Sequence, residues 1–262
     1  MKSGDVQKPK VDVVVLMAGE GRRMLPLTND RPKSLLCGVN GHSILNSNVQ
    51  AITAQNWDAT IIPVIGHGRM KVLEELSRLK DMAKFDFVFN PFYATAGPLV
   101  SLWLGLLQSK NEGLVIINGD TFIEESLVNN VAAWCCGDKG NTPDIAVCVS
   151  HAEDIKEDDM KVLLDERGCF SQAGKNVPPG PHVVISAGVV CVRDAASKNI
   201  LKSTIDSLVM DSSSLKKNYY WHNLLNVVKG RLKIDFVNVP ANSWHEVDNL
   251  TDLNAIERFK TG

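Results

Sequence analysis

The clearest indication of the fold is the stretch Val13-Val14-Val15-Leu16-Met17-Ala18-Gly19-Glu20-Gly21-Arg22-Arg23-Met24, continued by Arg31-Pro32-Lys33-Ser34-Leu35-Leu36. Its first residues are apolar and mostly β-branched, which predicts a buried β-strand. The strand runs into a loop with two glycines, whose missing Cβ atoms let the backbone approach a ligand closely. Backbone N–H groups at the end of a strand, together with arginine and lysine side chains, suit a polyphosphate. We therefore interpret this stretch as a phosphate-binding loop.

Two cations of this loop have distinct predicted roles. Arg23 can grip phosphate oxygens with its planar guanidinium, and Lys33 can follow the charge as a point cation. The chain has no G-x-x-x-x-G-K-[ST] motif, which argues against a P-loop. The loop also lacks the third glycine of the dinucleotide-binding fingerprint. For the pair Gly19 and Gly21 taken alone, an ordinary strand-to-helix turn stays open as the alternative.

Strand-like and helix-like runs alternate through the first half of the chain, as in a parallel sheet covered by helices on both faces. The second half is less regular and predicts a hairpin, a long strand and three helices. We expect functional residues at the carboxyl ends of the parallel strands. The predicted strands are 11–17, 59–65, 85–89, 114–117, 145–150, 161–165, 169–172, 183–192 and 232–239. One predicted helix begins after Ser43, and the others cover 70–79, 99–107, 195–208, 219–228 and 251–259.

Composition restricts the class of protein. A chain of 262 residues with 44% hydrophobic content can bury a large core. The net charge of −2 argues against a nucleic-acid partner. No apolar run approaches the roughly 20 residues of a membrane span, and the first ten residues lack the apolar segment of a secretory signal. We therefore expect a cytoplasmic protein without membrane insertion, and six cysteines that are reduced and mostly buried.

The loop resembles the signature of the nucleoside triphosphate (NTP) transferase superfamily, Leu16-x-Ala18-Gly19-x-Gly21-x-Arg23-Met24 followed by Pro32-Lys33-Ser34-Leu35-Leu36. Asn118-Gly119-Asp120 is similar to that family's metal-binding aspartate, and Trp244-His245-Glu246-Val247-Asp248 to its late acidic element. Asn90-Pro91-Phe92-Tyr93 and Met160-Lys161-Val162 resemble cytidylyltransferases that act on phosphocholine, 2-aminoethylphosphonate and related compounds. The resemblance implies a mostly parallel, Rossmann-like three-layer α/β fold of the nucleotide-diphospho-sugar transferase type, with a small β-rich insertion on the acceptor side.

The resemblance also implies a metal site and a catalytic set. Asp120 and Asp248 would hold Mg²⁺ between them, although each could instead cap a helix. Arg23, Lys33 and Asp120 would be the catalytic residues. The acceptor's own phosphate oxygen would attack the α-phosphorus of the NTP, so that no protein base is required.

Further positions are implied for the two substrates. Ala94-Thr95-Ala96-Gly97-Pro98 departs from the choline-type pattern and is closer to sugar-phosphate enzymes, which leaves base and acceptor open. Tyr219, Tyr220 and Trp221 could enclose a quaternary ammonium or could pack in the core. Glu246 could bind the acceptor or be a surface carboxylate, and Lys161 and Lys175 resemble family lysines near the acceptor but could instead be solvated. The implied nucleotide-binding residues are Leu16, Ala18, Gly19, Gly21, Arg23, Asn90, Ala96, Gly97 and Ser101, and the implied acceptor-binding residues are Lys33, Lys161, Tyr219, Trp221 and Glu246.

The sequence thus predicts a Mg²⁺-dependent cytidylyltransferase that joins CMP from CTP to a small phosphorylated or phosphonate acceptor and releases pyrophosphate. A sugar-1-phosphate nucleotidyltransferase using UTP, GTP or dTTP and a non-catalytic nucleotide-sensing subunit are the alternatives. We expect a flexible extension over residues 1–10 and one domain over 11–262, with an NTP-binding half at 11–120 and an acceptor and metal half at 121–262. A homo-oligomer is compatible with the sequence.

Overall fold

The computed structural model describes residues 8–38, 41–137, 143–151, 155–211 and 219–258. Most of the predicted extension and the end of the last predicted helix, Phe259, lie outside these residues. In the described part the helices are α1 (Ile44–Thr53), α2 (Arg69–Leu79), α3 (Pro98–Gln108), α4 (Glu125–Cys136), α5 (Ala195–Met210), α6 (Asn223–Val228) and α7 (Leu250–Arg258). The strands are β1 (Lys10–Leu16), β2 (Asp58–Ile65), β3 (Lys84–Phe85), β4 (Val88–Phe89), β5 (Gly113–Asn118), β6 (Thr121–Ile123), β7 (Ile145–Ser150), β8 (Lys161–Leu164), β9 (Phe170–Gly174), β10 (Val183–Val192), β11 (Ile234–Asn238) and β12 (Trp244–Glu246).

One large sheet runs through both predicted halves of the chain in the order β11-β7-β10-β5-β1-β2-β3. Its strands are parallel except β10, which is antiparallel to both of its neighbours. The hairpin β8–β9 extends β10 and forms the predicted β-rich insertion. The predicted mostly parallel α/β fold is confirmed.

The sheet is covered on both faces, which makes three layers. Successive residues of β1 point to opposite faces, so that Val13 belongs to the core cluster with residues of α1, α2 and α4, while Val14 belongs to the cluster with residues of α3, α5 and α6. Both valines are fully buried. A continuous apolar run is therefore what a strand buried on both faces requires.

A third apolar cluster lies beneath the loops that follow the strands. One of its residues is Met24, in the loop after β1 that contains Gly19 and Gly21, which we call the glycine loop. The cluster also contains Leu36 of the following stretch, Phe122 of β6 and Val247 after β12. Each of these residues is next to, or within four positions of, a polar residue that was predicted for the site. Their packing therefore brings distant parts of the chain together at one end of the sheet.

Two predicted elements differ from the structure. Residues 85–89 form two short strands, because the Asp86 carboxylate between them accepts hydrogen bonds from Gln108 and Lys110. The helix predicted over 219–228 begins only at Asn223, because Trp221 turns its indole N–H toward Asn118 at the end of β5. The Ser43 cap is confirmed, since its hydroxyl accepts a hydrogen bond from the Asn46 N–H at 3.1 Å.

The cysteine prediction was wrong for half of the thiols. All six are free, but only Cys148 and Cys191 are buried. Cys37, Cys136 and Cys169 are exposed because they lie in loops or in the last turn of α4. None of the helices in the described ranges combines the length with the apolar character that a bilayer crossing needs.

Candidate active site

The glycine loop follows β1 and is held in shape by its own backbone. Gly21 has a φ of +60°, a left-handed conformation that favours glycine. A Cβ at this position would lie 2.9 Å from the Lys33 Cγ, so a side chain here would also push against the neighbouring lysine. The Thr28 hydroxyl donates to the Gly21 carbonyl at 2.9 Å. The loop is thereby fixed with Arg22 to Met24 in a single 3-10 turn.

A short antiparallel pairing brings the two predicted metal aspartates together. β5 ends at Asn118, and after Gly119 and Asp120 the chain enters β6. β12 pairs with β6, with Glu246 opposite Thr121, and the Val247 N–H donates to the Asp120 carbonyl at 2.9 Å. Asp120, Glu246 and Asp248 each place a carboxylate oxygen within 4.8 Å of the others. Three carboxylates in one group are a donor set of the kind that Mg²⁺ prefers.

Lys33 and Arg23 neutralise this group. The Lys33 ammonium donates to Asp120 at 3.0 Å and to Asp248 at 2.6 Å. Arg23 donates to Asp248 through Nη2 at 2.5 Å and to Asp158 through Nη1 at 3.4 Å. The cations predicted to bind phosphate therefore contact the acids predicted to bind metal.

The pKa shifts follow from this arrangement. Burial lowers the pKa of Lys33, but attraction to Asp120 and Asp248 outweighs it, and the net shift is upward. Burial raises the pKa of Asp248, but Lys33 and Arg23 outweigh it, and the net shift is downward. Burial and then the negative charges of Asp120 and Asp248 raise the pKa of Glu246 to about 8. The two cations thus favour the ionised form of Asp248, whereas burial and the neighbouring carboxylates disfavour ionisation of Glu246.

Two adjoining cavities surround this group of charges. A cavity of about 310 Å³ lies between the glycine loop and Asp120, and Lys33 and Ser34 also line it. A larger cavity of about 540 Å³ extends from the loop toward β10. Most of the predicted residues line one or both cavities: Leu16, Ala18, Gly19, Gly21, Arg23, Lys33, Ala96, Gly97, Ser101, Asp120, Trp221 and Glu246.

Four predicted residues do not line the cavities, and one of them, Asp248, belongs to the carboxylate group described above. Asn90 is buried and donates to the Ser101 hydroxyl at 2.9 Å, so it supports a lining residue from behind. Tyr219 packs at the margin of the core that includes Leu224. Lys161 is only 3% exposed, and its ammonium is bonded to backbone carbonyls of the preceding loop, so its predicted contact with an acceptor stays a prediction.

The larger cavity is also lined by Lys175 and Tyr220, which the sequence offered for the acceptor site, and by His222 and Gly188, which it did not. Lys175 lies with its ammonium 4.9 Å from the centre of the Tyr220 ring. His222 is 2% exposed, lies 3.2 Å from the Ser186 hydroxyl, and has a pKa lowered by burial to about 3. Gly188, at a bulge of β10, has a φ of +68°. A glycine within a long apolar strand was the one signal for this bend in the sequence.

Comparisons with known protein sequences find nucleotidyltransferases among the relatives of this chain. Over 94% of its length, the chain is 24% identical to the choline-phosphate cytidylyltransferase of Streptococcus pneumoniae, of which the alignment covers 96%. It is also 28% identical over 120 residues to the bifunctional protein GlmU of Methanococcus maripaludis, but this region is 45% of the chain and only 26% of that protein.

Solved structures share the fold. The CTP:phosphocholine cytidylyltransferase of Streptococcus pneumoniae superposes with a TM-score of 0.72 at 22% identity, covering 92% of this chain and 95% of the other. The inositol-1-phosphate CTP transferase of T. maritima also gives 0.72, at 17% identity, covering 97% and 98%. Residues 13–203 match the family described as MobA-like NTP transferase domain. The resemblance to nucleotidyltransferases is thereby confirmed, and the chain belongs to the MobA-like NTP transferase family.

Proposed function

We propose that this protein is a Mg²⁺-dependent cytidylyltransferase that transfers CMP from CTP to a small phosphorylated or phosphonate acceptor of the phosphocholine or 2-aminoethylphosphonate type. The observation that carries the proposal is the junction of the glycine-loop cations Arg23 and Lys33 with Asp120 and Asp248 beside one cavity. The relative that aligns over nearly the whole chain, a choline-phosphate cytidylyltransferase, supports CTP as the donor.

The donor set fits a divalent cation. Asp120 and Asp248 would hold Mg²⁺, and Glu246 offers a third carboxylate within 4.8 Å. A bound Mg²⁺ would supply neutralisation of phosphate charge during transfer. Occupation of Asp248 would free Arg23 and Lys33, which now contact its carboxylate, to bind phosphate oxygens.

The remaining residues would bind and align the two substrates. Gly19 and Gly21 allow close approach of the triphosphate, and Ala96, Gly97 and Ser101 would lie against the base. A phosphate or phosphonate oxygen of the acceptor forms the new bond to the α-phosphorus, while the bond to the oxygen that bridges to the β-phosphorus breaks. Pyrophosphate leaves with that bonding pair. Because the attacking oxygen is already ionised at neutral pH, the protein supplies alignment and charge stabilisation.

A sugar-1-phosphate or related polyol-phosphate nucleotidyltransferase is the second candidate. Its support is that the Tyr220 ring already contacts the Lys175 ammonium, and that Trp221 is only 3% exposed. An aromatic surface occupied in this way offers less to a quaternary ammonium and leaves Lys175 for an anionic or hydroxylated acceptor. A non-catalytic nucleotide-sensing subunit has weaker support, since Arg23, Lys33, Asp120 and Asp248 are all in place.

Pyrophosphate release tests the proposal. The purified protein is supplied with Mg²⁺, each of CTP, UTP, GTP and ATP in turn, and phosphocholine, 2-aminoethylphosphonate or glucose-1-phosphate. We expect turnover with CTP and one of the first two acceptors, and a loss of at least about 100-fold in the variant Asp120→Asn, which keeps the side-chain volume. Turnover with UTP or GTP and the sugar phosphate would favour the second candidate. Tight binding of Mg²⁺ and an NTP without any turnover would favour the sensing subunit.

A further inference from the structure

The ammonium of Lys161 is enclosed by the backbone of the loop that precedes it. It donates to the carbonyls of Lys156 at 3.2 Å, Glu157 at 2.8 Å and Asp159 at 3.3 Å. An ammonium has three N–H donors, so these carbonyls account for all of them. A buried cation satisfied in this way fixes the carbonyls that surround it. We call residues 156–160 the acidic loop.

The acidic loop is closed on itself at its start and tied to β10 at its end. At its start, the Lys156 N–H donates to the Asp159 carboxylate at 2.7 Å. At its end, the carbonyl of Met160 accepts a hydrogen bond from the Ser186 N–H at 2.8 Å, which ties the loop to β10. Met160 is 7% exposed and lines the larger cavity. The loop is therefore part of the cavity wall, and Lys161 is the centre of its internal hydrogen bonds.

Asp158 extends from this loop to the glycine loop. Its carboxylate accepts a hydrogen bond from the Arg23 Nη1 at 3.4 Å, across 135 positions of sequence. On the other side, Nη2 of the same guanidinium contacts Asp248. Two carboxylates on different elements thus set the plane of the guanidinium. A guanidinium has five N–H donors, so Arg23 keeps N–H groups for phosphate oxygens while Asp158 holds it.

We propose that Lys161 is a positioning residue for the nucleotide: it builds the acidic loop, whose Asp158 orients Arg23 toward the triphosphate. This inference rests on the proposed NTP-binding role of Arg23. It differs from the acceptor role that family resemblance implies for Lys161, because it predicts an effect on the NTP and none on the acceptor. The Arg23–Asp158 pair is exposed, with 57% and 53% of the two side chains accessible, so its effect is on orientation and contributes little to folding stability.

Four variants test the inference: Lys161→Met, Asp158→Asn, their combination, and Lys229→Met. The last is a matched control, because the exposed Lys229 ammonium also donates to a backbone carbonyl, that of Ser171. Hydrogen exchange measures the order of the acidic loop. Calorimetry measures the Kd of whichever of CTP, UTP, GTP and ATP binds the wild type most tightly with Mg²⁺, and steady-state kinetics gives the acceptor KM.

We expect Lys161→Met to speed exchange in residues 156–160 and to raise the nucleotide Kd by about as much as the loss of Asp158 does, about 1.4- to 5-fold, with the acceptor KM unchanged. Asp158→Asn should raise the Kd about 1.4- to 5-fold, the range of exposed ion pairs, without altering exchange. Removing a negative charge would by itself tighten the binding of a triphosphate, so a weakening indicates lost orientation of Arg23. The combined variant should bind the nucleotide no more weakly than Lys161→Met does. Lys229→Met should have the nucleotide Kd, the acceptor KM and the exchange rates of the wild type.

An increased acceptor KM with an unchanged nucleotide Kd in Lys161→Met would overturn the inference and return Lys161 to the acceptor. Tighter nucleotide binding by Asp158→Asn would also overturn it, as would the absence of any nucleotide binding to the wild type. The first two outcomes are distinct from failure of the proposed function, whereas the absence of nucleotide binding would overturn both. If the wild type binds an NTP but releases no pyrophosphate, cytidylyl transfer fails while the Kd comparison still decides the role of Lys161.

Discussion

Replacing Lys33 by Met removes the cation that lies between two of the three clustered carboxylates. The side chain of Lys33 is 11% exposed, and its ammonium contacts Asp120 and Asp248, whose side chains are 27% and 14% exposed. Removing one partner of a fully buried ion pair costs about 3–5 kcal/mol. Because these carboxylates are partly solvated and Arg23 still contacts Asp248, we expect a loss of about 2–3 kcal/mol in folding free energy. For a chain of this size the Tm should fall by about 4–12 °C without metal.

A divalent cation should replace the lost charge. In Lys33→Met the three carboxylates lack the ammonium that competes for them, so Mg²⁺ should raise the Tm of this variant more than that of the wild type. Calorimetric unfolding in EDTA and in Mg²⁺ measures both values, and Lys33→Arg, which keeps the charge, is the matched control. An unaltered Tm of Lys33→Met in EDTA would refute the ion-pair contribution of Lys33. An equal Mg²⁺ increment in both proteins would refute the assignment of these carboxylates to a metal.

Three other variants test residues of the larger cavity. His222 has its pKa lowered to about 3 by burial, whereas an unfolded histidine has 6.5, so the unfolded chain binds the extra proton and stability should fall as pH falls from 6.5 toward 3. In His222→Asn the free energy of unfolding, measured in urea, should lose this dependence on pH, which amounts to at most about 1.4 kcal/mol per pH unit. Gly188→Ala should destabilise by at least about 1–2 kcal/mol, since φ is +68° and the new Cβ would lie 2.8 Å from the Asn118 side-chain nitrogen; an unchanged Tm would contradict this. Trp221→Phe loses the 2.8 Å bond to Asn118 and should cost about 1–3 kcal/mol while barely changing the acceptor KM, and a large KM increase at constant stability would instead indicate a ligand cage.

The sequence alone determined the parts of this protein whose causes are local. The apolar, β-branched run before Gly19 predicted a buried strand, and Gly21 marks a backbone conformation that other residues avoid. The Ser43 cap and the hairpin around Gly168 depend on neighbouring residues and were likewise predictable. The family signature also identified Asp120 and Asp248 as candidate metal ligands, although they are far apart along the chain.

Only the tertiary structure decided how the long polar side chains are used. Lys161 was predicted in the acceptor site, yet its ammonium binds the carbonyls of its own loop. The contact between Asp158 and Arg23 joins residues that no periodicity relates, and Trp221 contacts Asn118 only because β5 ends beneath it. A flexible side chain several bonds long can reach many partners, and the packing of remote elements selects among them. That selection depends on distances between strands and loops, which a linear pattern of residue types does not contain.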